Sequence, residues 1–221
     1  AEEAKKVVEW FVEKLDMTPE ESHPVFSAAA LHEIGKINMP EEILLREAKN
    51  VKVMEHGHYP VAGYLLLSRI PKLQEVAQLI RHQLENYDGS GFPDRLMQEE
   101  IPIGARILRA INYMEHIKWD SLEQAEVIGL LHKVQGTLLD TMLVQLLEEY
   151  VLVTGNKDWM KGKKTVNVLD LLPGMVLASD INTGSGTKLL PQNTVMTPTL
   201  VERIHSHNQI DPIIGSIFVF T

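Results

Sequence analysis

The sequence predicts a mostly α protein, an all-α helical bundle followed by a small β-rich C-terminal domain. Two observations carry this. Apolar residues recur at spacings of three and four from Val7 to Tyr150, and no strand-like alternation appears before residue 164. Composition then shifts over Thr154 to Lys164, where Gly155, Asn156, Gly162 and lysines at 157, 161, 163 and 164 interrupt the repeat. Such a short charge run reads as a solvated linker. We therefore expect a helical domain over 1–153, a linker over 154–164 and a β-rich domain over 165–221.

In chain order, Val7, Val8, Phe11, Val12 and Leu15 make the first amphipathic stripe. Met17-Thr18-Pro19-Glu20-Glu21 reads as a fresh helix start. Thr18 is the N-cap, Pro19 the first helical residue, and the acids sit at the positive end of the helix dipole. Asn38 to Glu42 is expected to turn into another helix. Leu73, Val76, Ala77, Ile80 and Leu84 form the next stripe, Ile103, Ile107, Ala110, Ile111 and Met114 another, and Leu139 to Tyr150 the last. Beyond the linker, Val166–Val168, Met175–Ala178, Lys188–Leu190 and Ile213–Phe220 read as short strands separated by Gly- and Pro-containing turns. Thr197-Pro198 starts a short helix between the last two.

Several function classes are excluded or disfavoured. No cysteine is present, so disulfides and thiolate metal ligands are excluded. A formal charge of −9 argues against a nucleic-acid surface, which needs clustered Lys and Arg. No apolar run approaches the ~18 residues of a membrane span, and no signal peptide is recognisable. We expect a cytoplasmic protein without membrane or nucleic-acid partners. The chain opens within a helical pattern without Met, so upstream sequence is expected.

Two stretches carry candidate chemistry. Leu31-His32-Glu33-Ile34-Gly35-Lys36 closes an alanine-rich helical segment and sets an imidazole beside a carboxylate. Neighbouring helical residues point about 100° apart, so the pair converges only on something large, such as a metal pair, or serves two separate partners. Lys36 offers a cation to a bound anion. It can equally neutralise Glu33, and Gly35 can simply end the helix. The second stretch, Glu85-Asn86-Tyr87-Asp88-Gly89-Ser90-Gly91-Phe92-Pro93, precedes Ile101-Pro102 and Ala105-Arg106-Ile107-Leu108. Its glycines can supply φ > 0 conformations, and Phe92-Pro93 is either a hydrophobic plug or an anchor for a partner.

The order and spacing of these motifs, from about Val25 to Tyr150, resemble the HD-GYP family, cyclic di-GMP phosphodiesterases of the HD metal-dependent phosphohydrolase superfamily. The resemblance implies an HD-type helical bundle and a site of two or three metals held by imidazoles and carboxylates, where a metal-bound hydroxide attacks phosphate. Matched to the family pattern, His32 is kept and Glu33 replaces an aspartate. Tyr59 stands where a histidine precedes Gly63, Gln83 and Leu84 replace two adjacent histidines, and Asn112 replaces an aspartate. The Tyr-Arg-Lys-like segment of the family is not recognisable between His116 and Leu122. His82 falls on the polar face with Glu75 and Gln78, whereas Leu84 extends the apolar stripe and fills the metal cavity. His56 and His58 could swing in from a loop. His23, read at a helix start, His116, read as exposed near a helix end, and His132 read as surface or structural histidines.

We therefore expect a degenerate, catalytically inactive module of bacterial cyclic di-GMP signalling, acting by protein or nucleotide recognition, with no resident cofactor. The alternative is a phosphodiesterase in which His32, Glu33 and relocated histidines hold an iron or manganese pair and Lys36 contacts phosphate. In the leading reading cyclic di-GMP binds weakly or not at all. The resemblance also implies that Asp88, Gly89, Gly91, Phe92 and Pro93 form a contact surface for a GGDEF-domain or other signalling protein. The β-rich tail resembles a domain found after some HD-GYP modules, and we find no chemistry in it.

Overall fold

A computed structural model describes residues 2–39, 58–155 and 161–221. The expected helix start at Pro40 to Glu42, His56 and Lys157 lie outside the described residues. Helix α1 (Glu2–Lys14) buries Val7, Val8 and Phe11, as its stripe predicts. Helix α2 (Pro19–Leu31) opens on the expected capping box: Thr18 N donates to Glu21 Oε2 at 2.8 Å, and Glu21 N donates back to Thr18 Oγ1. Pro24 lies inside α2, so His23 is an exposed mid-helix residue and not one at a helix start.

A 3-10 turn over Ile34–Asn38 follows, then α3 (Tyr59–Leu67), α4 (Gln74–Arg81), α5 (Ile103–Ile117), α6 (Gln124–Val134) and α7 (Thr141–Gly155). Helix α2 packs on α1, α4 and α5, and α7 closes the bundle against α1, α5 and α6. One hydrophobic core runs through these helices, centred on Phe11, Ile80, Ile107, Leu108, Leu143 and Leu147. The mostly α architecture with a small C-terminal β part is the one expected. No helix among the described residues is long and apolar enough to cross a membrane.

The C-terminal part builds its own smaller core from Leu171, Leu177, Ile181, Met196, Ile204 and Val219. Strand β1 (Lys163–Val166) pairs antiparallel with β4 (Ile217–Phe220), and β2 (Ile181–Asn182) with β3 (Lys188–Leu190). Helix α8 (Pro198–Asn208) starts at Thr197, whose Oγ1 accepts from Leu200 N. Strand positions differ from the reading of the sequence. Val168–Asp170 is a 3-10 turn, and Met175–Ala178 makes only isolated bridges, Val176 to Val195 and Leu177 to Val219. Short apolar runs fix burial but not ladder partners.

The two cores are fastened together by polar groups. Lys14 Nζ donates to Glu149 Oε1 at 2.7 Å and to Ser216 Oγ at 2.8 Å, and lies 4.5 Å from the Trp10 ring centre. Ser216 N donates to Glu149 Oε2 at 2.9 Å. Further along α7, Gln145 Nε2 donates to the Thr183 carbonyl at 2.7 Å.

Candidate functional site

Helix α2 ends at Leu31, and its first residue beyond, His32, keeps helical dihedrals and turns inward to 5% exposure. Its Nδ1 lies 2.7 Å from the Ala29 carbonyl, which can only accept, so Nδ1 carries a proton. Nε2 lies 3.3 Å from Glu115 Oε2. That contact is attractive when Nε2 is protonated too, which makes His32 an imidazolium. Burial by itself lowers its pKa, but the Glu115 and Ala29 hydrogen bonds and the charges of Glu115 and Glu33 outweigh it, and the net shift is upward. Glu33 points the other way. It is exposed, pairs with Lys36 at 2.7 Å, and is held below the ordinary carboxylate range chiefly by that bond. The structure thus does not bring His32 and Glu33 to one metal position, contrary to the remnant ligand pair read from the sequence. The 100° separation serves two separate partners instead.

The upward shift of His32 has a sign that can be checked. Its folded pKa lies above the ordinary 6.5, so its contact with Glu115 stabilises the fold in full below about pH 6.5 and is lost as pH rises through the folded pKa. An NMR titration of the His32 ring proton should give a midpoint above 6.5. A midpoint below it means that burial wins.

Behind His32 the site is filled by amides. Gln83 is fully buried; its Nε2 donates to the His32 carbonyl at 2.8 Å. Asn112 on α5 donates from Nδ2 to Gln83 Oε1 at 3.2 Å and lies 3.4 Å from the Gln83 carbonyl. Tyr59 is buried, its backbone against Gly35 and its ring centre 4.8 Å from Lys36 Nζ. The cavity-filling role assigned to Leu84 needs correction. Helix α4 stops at Arg81, so the apolar stripe does not continue to Leu84. Leu84 is buried in a bridge to Phe92, and the Gln83 amide faces His32. His82 is likewise not on an open polar face: its side chain is 13% exposed and Nε2 lies 3.0 Å from Asp94.

The loop after α4 is tied down by hydrogen bonds. Glu85 is buried and its Oε1 accepts from Asp94 N at 2.6 Å and Arg95 N at 3.1 Å; burial pushes its pKa up against those bonds. Asp94 in turn accepts from Arg81 Nε and Nη2, each at 2.7 Å. Arg109 Nε donates to Asn86 Oδ1, Asp88 N to the Thr137 carbonyl, and Ser90 N to Asp88 Oδ1. Gly89 has φ 80°, as a turn glycine would. Gly91 serves another purpose: a Cβ there would lie 2.1 Å from Asn86 N and 2.5 Å from Glu85 Cα, so this position requires close backbone approach. Phe92 is half-buried, precedes a cis peptide to Pro93, and meets the exposed His58 ring edge-on at 5.6 Å. His58 is therefore turned to Phe92 and not to a ligand position.

Reasoning from sequence missed Glu115 and Asp94. Glu115 lies three residues after Asn112 on α5, a spacing that puts both on one face, so the signal was present. His116 is partly buried on the same helix and its pKa is lowered by that burial. His132 is exposed and paired with Glu148 at 2.6 Å.

The bundle, the His32 turn and the glycine loop define a known class. The chain belongs to the HD domain family, whose model matches residues 1–143. It is 40% identical over 147 residues to the cyclic di-GMP phosphodiesterase response regulator RpfG of Xanthomonas campestris pv. campestris, covering 61% of this chain and 38% of that protein. It is 38% identical over 87 residues to a cyclic di-GMP phosphodiesterase of Thermotoga maritima, covering 37% of this chain and 23% of that protein. A probable cyclic di-GMP phosphodiesterase of Vibrio cholerae is 26% identical over 141 residues, covering 56% and 32%. The chain spans well under half the length of each of these relatives.

Metal ions of the kind implied by this family do not fit the described residues. Three or four imidazole or carboxylate donors are needed for a transition-metal site, and no group of three His, Asp or Glu converges among the described residues. At the expected position stand His32 and Glu115, backed by two neutral amides. The amide nitrogens have no lone pair to give, and Gln83 Oε1 already accepts from Asn112.

Proposed function

We propose that this chain is a degenerate HD-GYP-like signalling module in bacterial cyclic di-GMP pathways, acting by recognition of a protein partner without hydrolysing the nucleotide. The observation that carries this is the Gln83–Asn112–His32 hydrogen-bond network at the family's metal position. It gives the buried polar groups partners of their own and ties the residues just beyond α2 and α4 to α5 without a resident metal. Hydrolysis of this type depends on a metal-generated hydroxide, and no described residue set supports one. The similarity to proteins named cyclic di-GMP phosphodiesterases supports the pathway.

Cyclic di-GMP binds weakly or not at all in this reading. The two cations best placed for phosphate are engaged, Lys36 by Glu33 and the Tyr59 ring, Arg106 by the buried Asp140 at 2.6 Å. Recognition falls to the loop carrying Asp88, Gly89, Gly91, Phe92 and Pro93. In the family that the motifs resemble, the corresponding loop contacts GGDEF domains. Here Phe92 is half-buried on a loop pinned by Glu85, Asn86 and Asp88, so little entropy is lost on docking, and aromatic residues are favoured interface anchors. A net charge of −9 favours a basic patch on the partner. The module works in the cytoplasm, where the nucleotide is made.

Phe92→Ala tests the reading. The variant should keep the circular dichroism of the parent and lose about tenfold or more in affinity for a GGDEF-domain protein of the same organism, measured by calorimetry. Parent-like affinity in a folded variant contradicts it.

A further inference from the structure

The segment that follows Phe92 and Pro93 carries backbone strain, and the fold holds that strain from several sides. Arg95 has φ 57° and Gln98 φ 50°, left-handed conformations that cost free energy for any residue with a Cβ. Each is fixed by a neighbour. Arg95 N donates to the buried Glu85 carboxylate at 3.1 Å, and Gln98 N donates to the Tyr87 carbonyl at 2.9 Å. Between them, Met97 N donates to Glu100 Oε2 at 3.1 Å, and Glu100 N donates back to the Met97 carbonyl at 3.0 Å.

The two strained residues bracket a pair of apolar side chains with opposite fates. Leu96 packs against the helical core, whereas Met97 is 45% exposed. A lone exposed apolar residue is ordinary on a protein surface. Met97 differs in its position and its neighbours. A Cβ on Gly89 would lie 3.2 Å from Met97 Cβ, so the methionine stands against the Asp88-Gly89 turn of the loop that carries Phe92. Residues 88–100 hold Asp88, Asp94, Glu99 and Glu100 against one cation, Arg95, and all four acids are exposed.

Given the recognition role proposed above, we propose that Met97 is a second apolar anchor of the surface that Phe92 carries. The matching face of the protein partner is an apolar hollow for the thioether side chain, ringed by lysine or arginine. An unbranched, polarizable side chain fills an irregular hollow readily. Its backbone is already fixed, so docking orders little more than the side chain itself. The acids meet the basic ring and set the approach, while Phe92 and Met97 supply the water-excluding contact.

The test uses the full chain and the same GGDEF-domain protein against which Phe92→Ala is measured. By calorimetry, Met97→Ala should weaken the complex about fivefold or more, and Met97→Leu should stay within about twofold of the parent. Ile210→Ala, which removes an 83% exposed apolar side chain from the C-terminal unit, should leave affinity unchanged. A second reading needs no variant. Hydrogen peroxide converts exposed methionine to the sulfoxide, and mass spectrometry should find Met97 oxidised about fivefold more slowly in the complex than in the free chain. Met175 in the C-terminal unit should oxidise at one rate in both. Parent affinity in a folded Met97→Ala variant overturns the anchor, as does equal oxidation of Met97 free and bound, or an equal loss from Ile210→Ala. If Phe92→Ala still weakens the complex in those cases, recognition through the loop stands without Met97. If neither Phe92→Ala nor Met97→Ala weakens it, both fall together.

Discussion

Gly35→Ala and Gly91→Ala should each prevent the helical domain from reaching its native packing. A Cβ on Gly35 would lie 1.9 Å from the Tyr59 carbonyl oxygen and 2.7 Å from Gly63 N; one on Gly91 would lie 2.1 Å from Asn86 N. The obstructing atoms are backbone, so no side chain can swing aside. At Gly35 the 3-10 turn after His32 would be forced away from α3, and at Gly91 the loop away from the end of α4. Overpacking by a methyl usually costs about 1–3 kcal/mol where side chains can adjust. Here we expect more than about 4 kcal/mol, a large part of the about 5–15 kcal/mol that holds a domain together. Gly129→Ala is the contrast. Nothing lies within 4 Å of its added Cβ on α6, so it should stabilise by about 0.5–1 kcal/mol. Urea unfolding of the three variants checks the ordering, and wild-type stability in Gly35→Ala contradicts the packing described.

The second large effect is expected at Lys14. The Lys14 and Glu149 side chains are 16% and 7% exposed. Lys14→Met removes the cation and leaves Glu149 buried with the Ser216 amide still donating to it. Removing one partner of a buried pair costs about 3–5 kcal/mol, because the other charge stays in low dielectric. The loss should appear as earlier release of the C-terminal unit, seen in hydrogen exchange as lost protection of the paired strands β1 and β4. Lys5→Met breaks a pair with Glu9 that is more than half exposed, and should change stability by less than about 1 kcal/mol.

Much of this architecture is legible in the sequence. The stripes of α1 and α5 and the capping box at Thr18 rest on local periodicity and side-chain chemistry that tertiary contacts do not overrule. Glu33 lies in the turn beyond α2 and accepts from Lys36 three residues on, a neutralising pair that the sequence offers. Leu84 is the exception: α4 ends at Arg81, and a period of 3.6 has no meaning beyond a helix terminus. Once His82 ends the helix, Gln83 and Leu84 exchange the roles that extrapolation gave them. The bond from Arg81 to Asp94, thirteen residues apart through an irregular loop, leaves no periodic trace. The same holds for the Lys14 to Ser216 contact across the whole chain. Met175–Ala178 has the apolar content of a strand and lacks only a continuous neighbour, which composition does not report.

Metal content is the most direct test of an amide-filled site, measured by elemental analysis of protein produced in iron- and manganese-supplemented cells and assayed in parallel for cyclic di-GMP hydrolysis. With amides at the ligand positions, the protein should carry no stoichiometric metal and release no linear dinucleotide. A stoichiometric metal pair, with turnover that disappears together with the metal in His32→Ala, would contradict it.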